Sequence, residues 1–126
     1  MKIFVGADHN GFGLKADVIK YLQENKYDVV DVGDETFDPD DDFPVFAKKA
    51  ALAVLESDDD DPRAILLCGG GQGMAMAANR HRGIRASVIW DKEEARMTRN
   101  DNDSNVLSLP ARVMKNPVVA HEIIET

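Results

Sequence analysis

The chain has 126 residues and a mass of 13.9 kDa, which is one domain's worth of polypeptide, residues 1–126, since domains run ~100–150 residues. Its 44% hydrophobic content supports a core without metal, and a single cysteine, Cys68, excludes a disulfide framework and a Cys-only zinc site. The net charge of -8 argues against nucleic acid, which needs a basic face, and no apolar run approaches the ~18–20 residues of a membrane span.

The apolar part of Met1–Gly6 is too short for a signal peptide, so a reducing cytoplasmic setting is expected. The acidity is local: residues 31–61 hold twelve acids against Lys48 and Lys49. The Asp40-Asp41-Asp42 and Asp58-Asp59-Asp60-Asp61 runs read as solvated loops, because the acid, glycine and terminal Glu spacing of a calcium loop is missing.

Strand and helix patterns alternate along the chain. Ile3-Phe4-Val5 is a short apolar strand ending at Gly6. Residues 11–25 place Phe12, Leu14, Val18, Ile19 and Leu22 at helical spacing. Tyr27–Val32 reads as a second strand, and Phe43–Leu55 as a helix with Phe46, Ala50 and Val54 on one stripe. Ala64–Cys68 is a fully apolar third strand; a glycine-rich turn then leads into a helix over Met74–Arg80. Ile84–Trp90 reads as a fourth strand, Lys92–Arg99 as a helix, Asn105–Leu109 as a fifth strand, and Pro117 starts a last helix.

Continuous apolar strands separated by helices specify a parallel sheet covered on both faces. The expected fold is therefore α/β, a doubly wound, Rossmann-like three-layer sandwich with five parallel strands. Ligands in such sheets bind beyond the carboxyl ends of the strands, where strand order reverses. In the common five-strand order that point lies between strands one and three. The residues that follow those strands are Asp8-His9 and Cys68-Gly69-Gly70-Gly71-Gln72-Gly73.

The glycines let backbone N–H groups turn toward an anion or a developing oxyanion. Their spacing is not that of a dinucleotide fingerprint, and no Gly-Lys-Ser/Thr follows for a phosphate-binding P-loop. Cys68 borders this loop and the helix start behind it, a setting that favours thiolate, so it could serve as nucleophile or general base; inert packing is the alternative. His9 could bind phosphate or move a proton, or simply bond backbone. A receiver domain is excluded, since its acceptor Asp and late Lys are absent. His81 and His121 read as surface residues. The polar concentration in Arg96–Leu107 is a loop leading into the fifth strand, at the opposite end of the sheet, and one account is that it reaches a partner's crevice.

Several segments occur in an order that points to one family. They are Gly6-Ala7-Asp8-His9-Asn10-Gly11-Phe12 with Leu14-Lys15, Asp42-Phe43-Pro44-Val45-Phe46-Ala47, Cys68–Met74 with Ala77-Ala78-Asn79-Arg80, Gly83-Ile84-Arg85-Ala86, Asn102–Leu107, and Arg112-Val113. The chain resembles ribose-5-phosphate isomerase B and its galactose-6-phosphate isomerase relatives over nearly its whole length.

The resemblance implies an aldose–ketose isomerase for a phosphorylated sugar, with neither metal nor other cofactor. It makes Cys68 the base and Gly69, Gly70, Gly71, Gln72 and Gly73 the anion hole. Asp8 would orient sugar hydroxyls, Asn102 would hold substrate near the reacting oxygens, and His9 and Arg112 would contact phosphate. It also implies a site shared between two subunits, hence a homodimer or dimer of dimers, with a heteromer of two family members as a variant.

Three positions depart from the family pattern. Asp101 replaces the histidine that opens the furanose ring, Gly70 replaces a Thr or Ser, and no arginine follows Arg112. A non-catalytic sugar- or phosphate-binding module on the same fold is the alternative reading.

Overall fold

The computed structural model describes residues 1–33, 38–40 and 42–126. Five strands, β1 (Lys2–Ala7), β2 (Asp28–Gly33), β3 (Pro62–Cys68), β4 (Ala86–Val88) and β5 (Val106–Pro110), form one parallel sheet in the order β2-β1-β3-β5-β4. The helices are α1 (Phe12–Glu24), α2 (Phe43–Glu56), α3 (Gln72–Ala78), α4 (Lys92–Met97) and α5 (Pro117–Glu125). This is the α/β, Rossmann-like arrangement expected from the sequence.

Alternation along the central strands divides the core in two. Ile3, Val5, Ala7, Ile65, Leu67 and Leu109 pack toward α1, α4 and α5. Phe4, Ala64, Leu66, Cys68 and Val106 pack toward α2 and α3. Both faces are covered, which is why these strands read as unbroken apolar runs. Pro117 suits the first turn of α5, where its missing N–H has no helical partner to lose, and the Asn116 side chain caps Val118 N–H at 3.1 Å.

The reversal of strand order between β1 and β3 falls where the sequence places it. The last two strands depart from the common order, because β5 is inserted between β3 and β4. β4 is a three-residue edge strand, shorter than the Ile84–Trp90 run. Lys92–Arg99 is likewise not one helix: α4 ends at Met97, and Thr98–Asn102 forms a π-helical turn.

Asp58–Asp61 is not simply solvated, since Asp59 accepts Lys2 N–H at 3.1 Å and Asp61 N–H at 3.0 Å. Asp40 and Asp42 are exposed, and Asp41 lies outside the described residues. His121 is also more than a surface residue. It bonds Asp17 at 2.7 Å and stacks on Tyr21 with centroids 4.0 Å apart, which ties α5 to α1. Among the described residues no helix is long and apolar enough to cross a membrane.

Candidate active site

Pairing of Ala7 with Leu67 puts Asp8, just past β1, level with Cys68, the last residue of β3. Strands lie ~4.8 Å apart, so the two residues sit at neighbouring strand ends. Asp8 is buried, and its Oδ1 accepts the N–H groups of Asn10 at 2.9 Å and Gly11 at 3.2 Å. This turn closes the loop on its own carboxylate and sets the entry into α1. His9, next in the chain, is partly buried beside it.

Cys68 is 6% exposed, and its Sγ accepts the Gly71 N–H at 3.2 Å. Gly71 has φ +75°, a left-handed conformation that glycine adopts without penalty. The turn aims Gly71 N–H back at the sulfur and starts α3 at Gln72. A β-carbon built at Gly70 would meet nothing within 4 Å, so this position faces open space. The Phe43 ring, from the start of α2, closes on Gly73. The chain after β5 is bonded to the same loop: Ala111 N–H donates to the Cys68 carbonyl at 2.8 Å, and Arg112 N–H to the Gly69 carbonyl at 2.9 Å.

One chain thus brings together Asp8, His9, Cys68, Gly69, Gly70, Gly71, Gln72, Gly73 and Arg112. It does not bring Asp101 or Asn102 to them. Those two are exposed on the π-helical turn before β5. β5 begins opposite Ala64 in β3, and the residues from Ala64 to Cys68 span ~13 Å. Asn102 therefore sits at the amino end of the sheet while Cys68 sits at the carboxyl end.

The polar turn is firmly held. Ser87, Thr98 and Ser104 form a closed ring of hydroxyl bonds at 2.6, 2.7 and 2.8 Å. Arg85 Nε donates to the Asn102 carbonyl at 2.6 Å. A cavity of about 250 Å³ opens at this amino end, lined in part by Arg63, Ser87, Thr98, Arg99, Ser104 and Asn105; neither Cys68 nor Asp8 borders it. Cys68 and Asp8 therefore lie at the opposite end of the sheet from this cavity. Among the described residues no group of three or more His, Cys, Asp or Glu side chains could hold a metal ion.

Sequence reasoning missed Ser108. It is fully buried in β5, and its hydroxyl donates to the Gly71 carbonyl at 2.6 Å. A serine inside an apolar strand covered on both faces carries no periodic signal.

A thiol and a carboxylate flanking a glycine loop, at the reversal point of a parallel sheet, define an α/β enzyme for a small anionic substrate. Residues 3–126 match the family model described as Ribose/Galactose Isomerase. Ribose-5-phosphate isomerase B of Escherichia coli is 40% identical over 113 residues, covering 90% of this chain and 74% of that protein. The Clostridium thermocellum ribose-5-phosphate isomerase B structure superposes with a TM-score of 0.92 at 39% identity, covering 99% of this chain and 82% of that one. A Mycoplasma genitalium ribose-5-phosphate isomerase B, solved with bound ribulose 5-phosphate, gives 0.89 at 34% identity, covering 98% and 80%. The chain belongs to the ribose/galactose isomerase family, and within it is of the ribose-5-phosphate isomerase B type.

Proposed function

We propose that this protein interconverts ribose 5-phosphate and ribulose 5-phosphate, with Cys68 as the base. The thiolate removes the proton on C2 of the open-chain aldose. The C–H electron pair forms the C1=C2 bond, and the carbonyl π electrons move onto O1. The resulting enediolate is held by the N–H groups of the Gly69–Gly73 loop, where fixed dipoles stabilise developing charge. The Cys68 proton then returns to C1, and the O2 proton passes to O1, which leaves the ketose. Asp8 orients the sugar hydroxyls, while His9 and Arg112 take the phosphate.

The observation that carries this reading is the Gly71 N–H on Cys68 Sγ at 3.2 Å, beside a buried Asp8. The site is completed between two copies, with Asn102 and Asp101 of one chain beside Cys68 of the other. Their exposure and their position at the far end of the sheet support a homodimer or a dimer of such dimers. Apolar side chains left in water on adjoining helices, Met76 at 70% and Val45 at 51% exposed, fit a covered face.

The test is a coupled isomerase assay on Cys68→Ala over pentose and hexose phosphates. Turnover on ribose 5-phosphate is expected to fall ~10²–10⁴-fold, with substrate still bound. Near-normal turnover would remove Cys68 from the chemistry.

A further inference from the structure

The loop that carries Cys68 is held from below by a residue outside the site. Register pairs Leu66 with Ser108 and Cys68 with Pro110, so Ser108 lies on the same sheet face as Cys68, one strand over. Its side chain has no solvent contact, with 0% exposure, and its hydroxyl donates to the Gly71 carbonyl at 2.6 Å. The same carbonyl accepts the Ala75 N–H at 3.2 Å. Both of its lone pairs are occupied, which directs it into the protein and away from the crevice.

Gly71 is confined on its other sides as well. Val88, Pro110 and Leu109 lie 3.2 to 3.5 Å from the position of an added β-carbon. With its carbonyl pinned and its φ held at +75°, its N–H is committed to Cys68 Sγ. Without the hydroxyl the carbonyl keeps only the Ala75 N–H, and Gly71 loses one of the two bonds that anchor it beneath the sulfur.

We infer that Ser108 is a positioning residue for the isomerisation, fixing Gly71 so that its N–H meets the Cys68 sulfur. The inference rests on the reading of Cys68 as the base. The Ser108 hydroxyl bonds Gly71, whose N–H in turn bonds the Cys68 sulfur, so Ser108 acts through Gly71.

Cys68 is the only cysteine, so alkylation by iodoacetamide reports on one sulfur. Ser108→Ala is expected to slow alkylation about fivefold, because the Gly71 N–H is no longer held on the sulfur. It is expected to lower kcat about tenfold with KM for ribose 5-phosphate within about twofold, the pattern of an interaction made in the transition state.

The isosteric pair Ser108→Thr and Ser108→Val separates the hydroxyl from packing. Threonine should retain most of the wild-type kcat and valine should match alanine. Wild-type kcat and alkylation in Ser108→Ala, or equal losses in the threonine and valine variants, would overturn the inference. Should the threonine and valine variants fail to fold, Ser108→Ala alone decides. A fully active Cys68→Ala protein combined with slowed alkylation in Ser108→Ala would remove the base but leave Ser108 as the group that sets the thiol.

Discussion

The Arg112 guanidinium lies directly over Gly69: a β-carbon built there would come within 2.8 Å of one of its nitrogens. The backbone adds a second link, with Arg112 N–H on the Gly69 carbonyl at 2.9 Å. The glycine thus leaves room for a cation that would otherwise be pushed off the loop. Arg112→Ala removes a charge-assisted contact worth ~1.5–3 kcal/mol, so KM for ribose 5-phosphate should rise about 10- to 100-fold. Gly69→Ala should raise KM in the same direction with Arg112 still in the chain. Steady-state kinetics on both variants checks this, and an unchanged KM in Arg112→Ala would take the arginine out of phosphate binding.

The second expectation concerns assembly. Cys68→Ala and Asn102→Ala place their lesions at opposite ends of one chain. If each site draws on two chains, a mixed dimer holds one doubly damaged site and one intact site. Random reassortment of equal amounts should then recover about a quarter of wild-type activity from two inactive proteins. No recovery after verified exchange would place both residues in one chain's site, or in none.

Which parts of this site could be read from the sequence follows from what hydrophobicity reports. Asp8-His9 and the Cys68 loop stood out because they directly follow the apolar strands β1 and β3, and ligands sit beyond those ends. Asn102 stood out only as a polar residue in a polar stretch; its distance from Cys68 depends on where β5 starts. The exchange of β4 and β5 was not legible. Ile84–Trp90 has a longer apolar run than Asn105–Leu109, yet the shorter run is interior and the longer one forms the edge. Side-chain pattern records burial on two faces, whereas neighbour order depends on backbone bonds that no side chain advertises. Ser108 was hidden for the same reason, since its hydroxyl serves a carbonyl 37 positions away.

Asp101 gives the third expectation. An ionised carboxylate only accepts hydrogen bonds, and opening a furanose ring needs a donor at the ring oxygen. Asp101→His is expected to raise kcat on ribose 5-phosphate more than on an aldose phosphate too short to cyclise. A paired comparison of the two proteins on the two substrates tests it. An equal slowing on both would assign Asp101 a positioning role instead.

The fourth expectation is a pH dependence far from the site. The Asp61 N–H, bonded to Asp59 at 3.0 Å, holds the Asp59 carboxyl below the usual aspartate range. The terminal ammonium at 3.7 Å and the Lys2 N–H act in the same direction. The folded state therefore favours the ionised form. Its contribution is present above the unfolded value of ~3.9 and is lost as pH falls through the lower folded value. Asp59→Asn should lower Tm at about pH 6, and the difference from wild type should shrink as pH falls below the usual aspartate range. Thermal melts across that range check the sign, and a gap that widens on acidification would reverse it.

The insertion of β5 between β3 and β4 also sets a schedule for synthesis. In this sheet β4 is bonded to β5 and to no other strand, and one side of β3 waits for β5 as well. While the chain emerges from the ribosome, β1, β2 and β3 can pair as they appear. β4 must remain an unpaired segment through α4 and the polar turn, until residues 106–110 are free to slot between it and β3. The last of the described strands to be made is an interior one. Because the chain after β5 also bonds the carbonyls of Cys68 and Gly69, the Cys68 loop acquires its final support only at that late step.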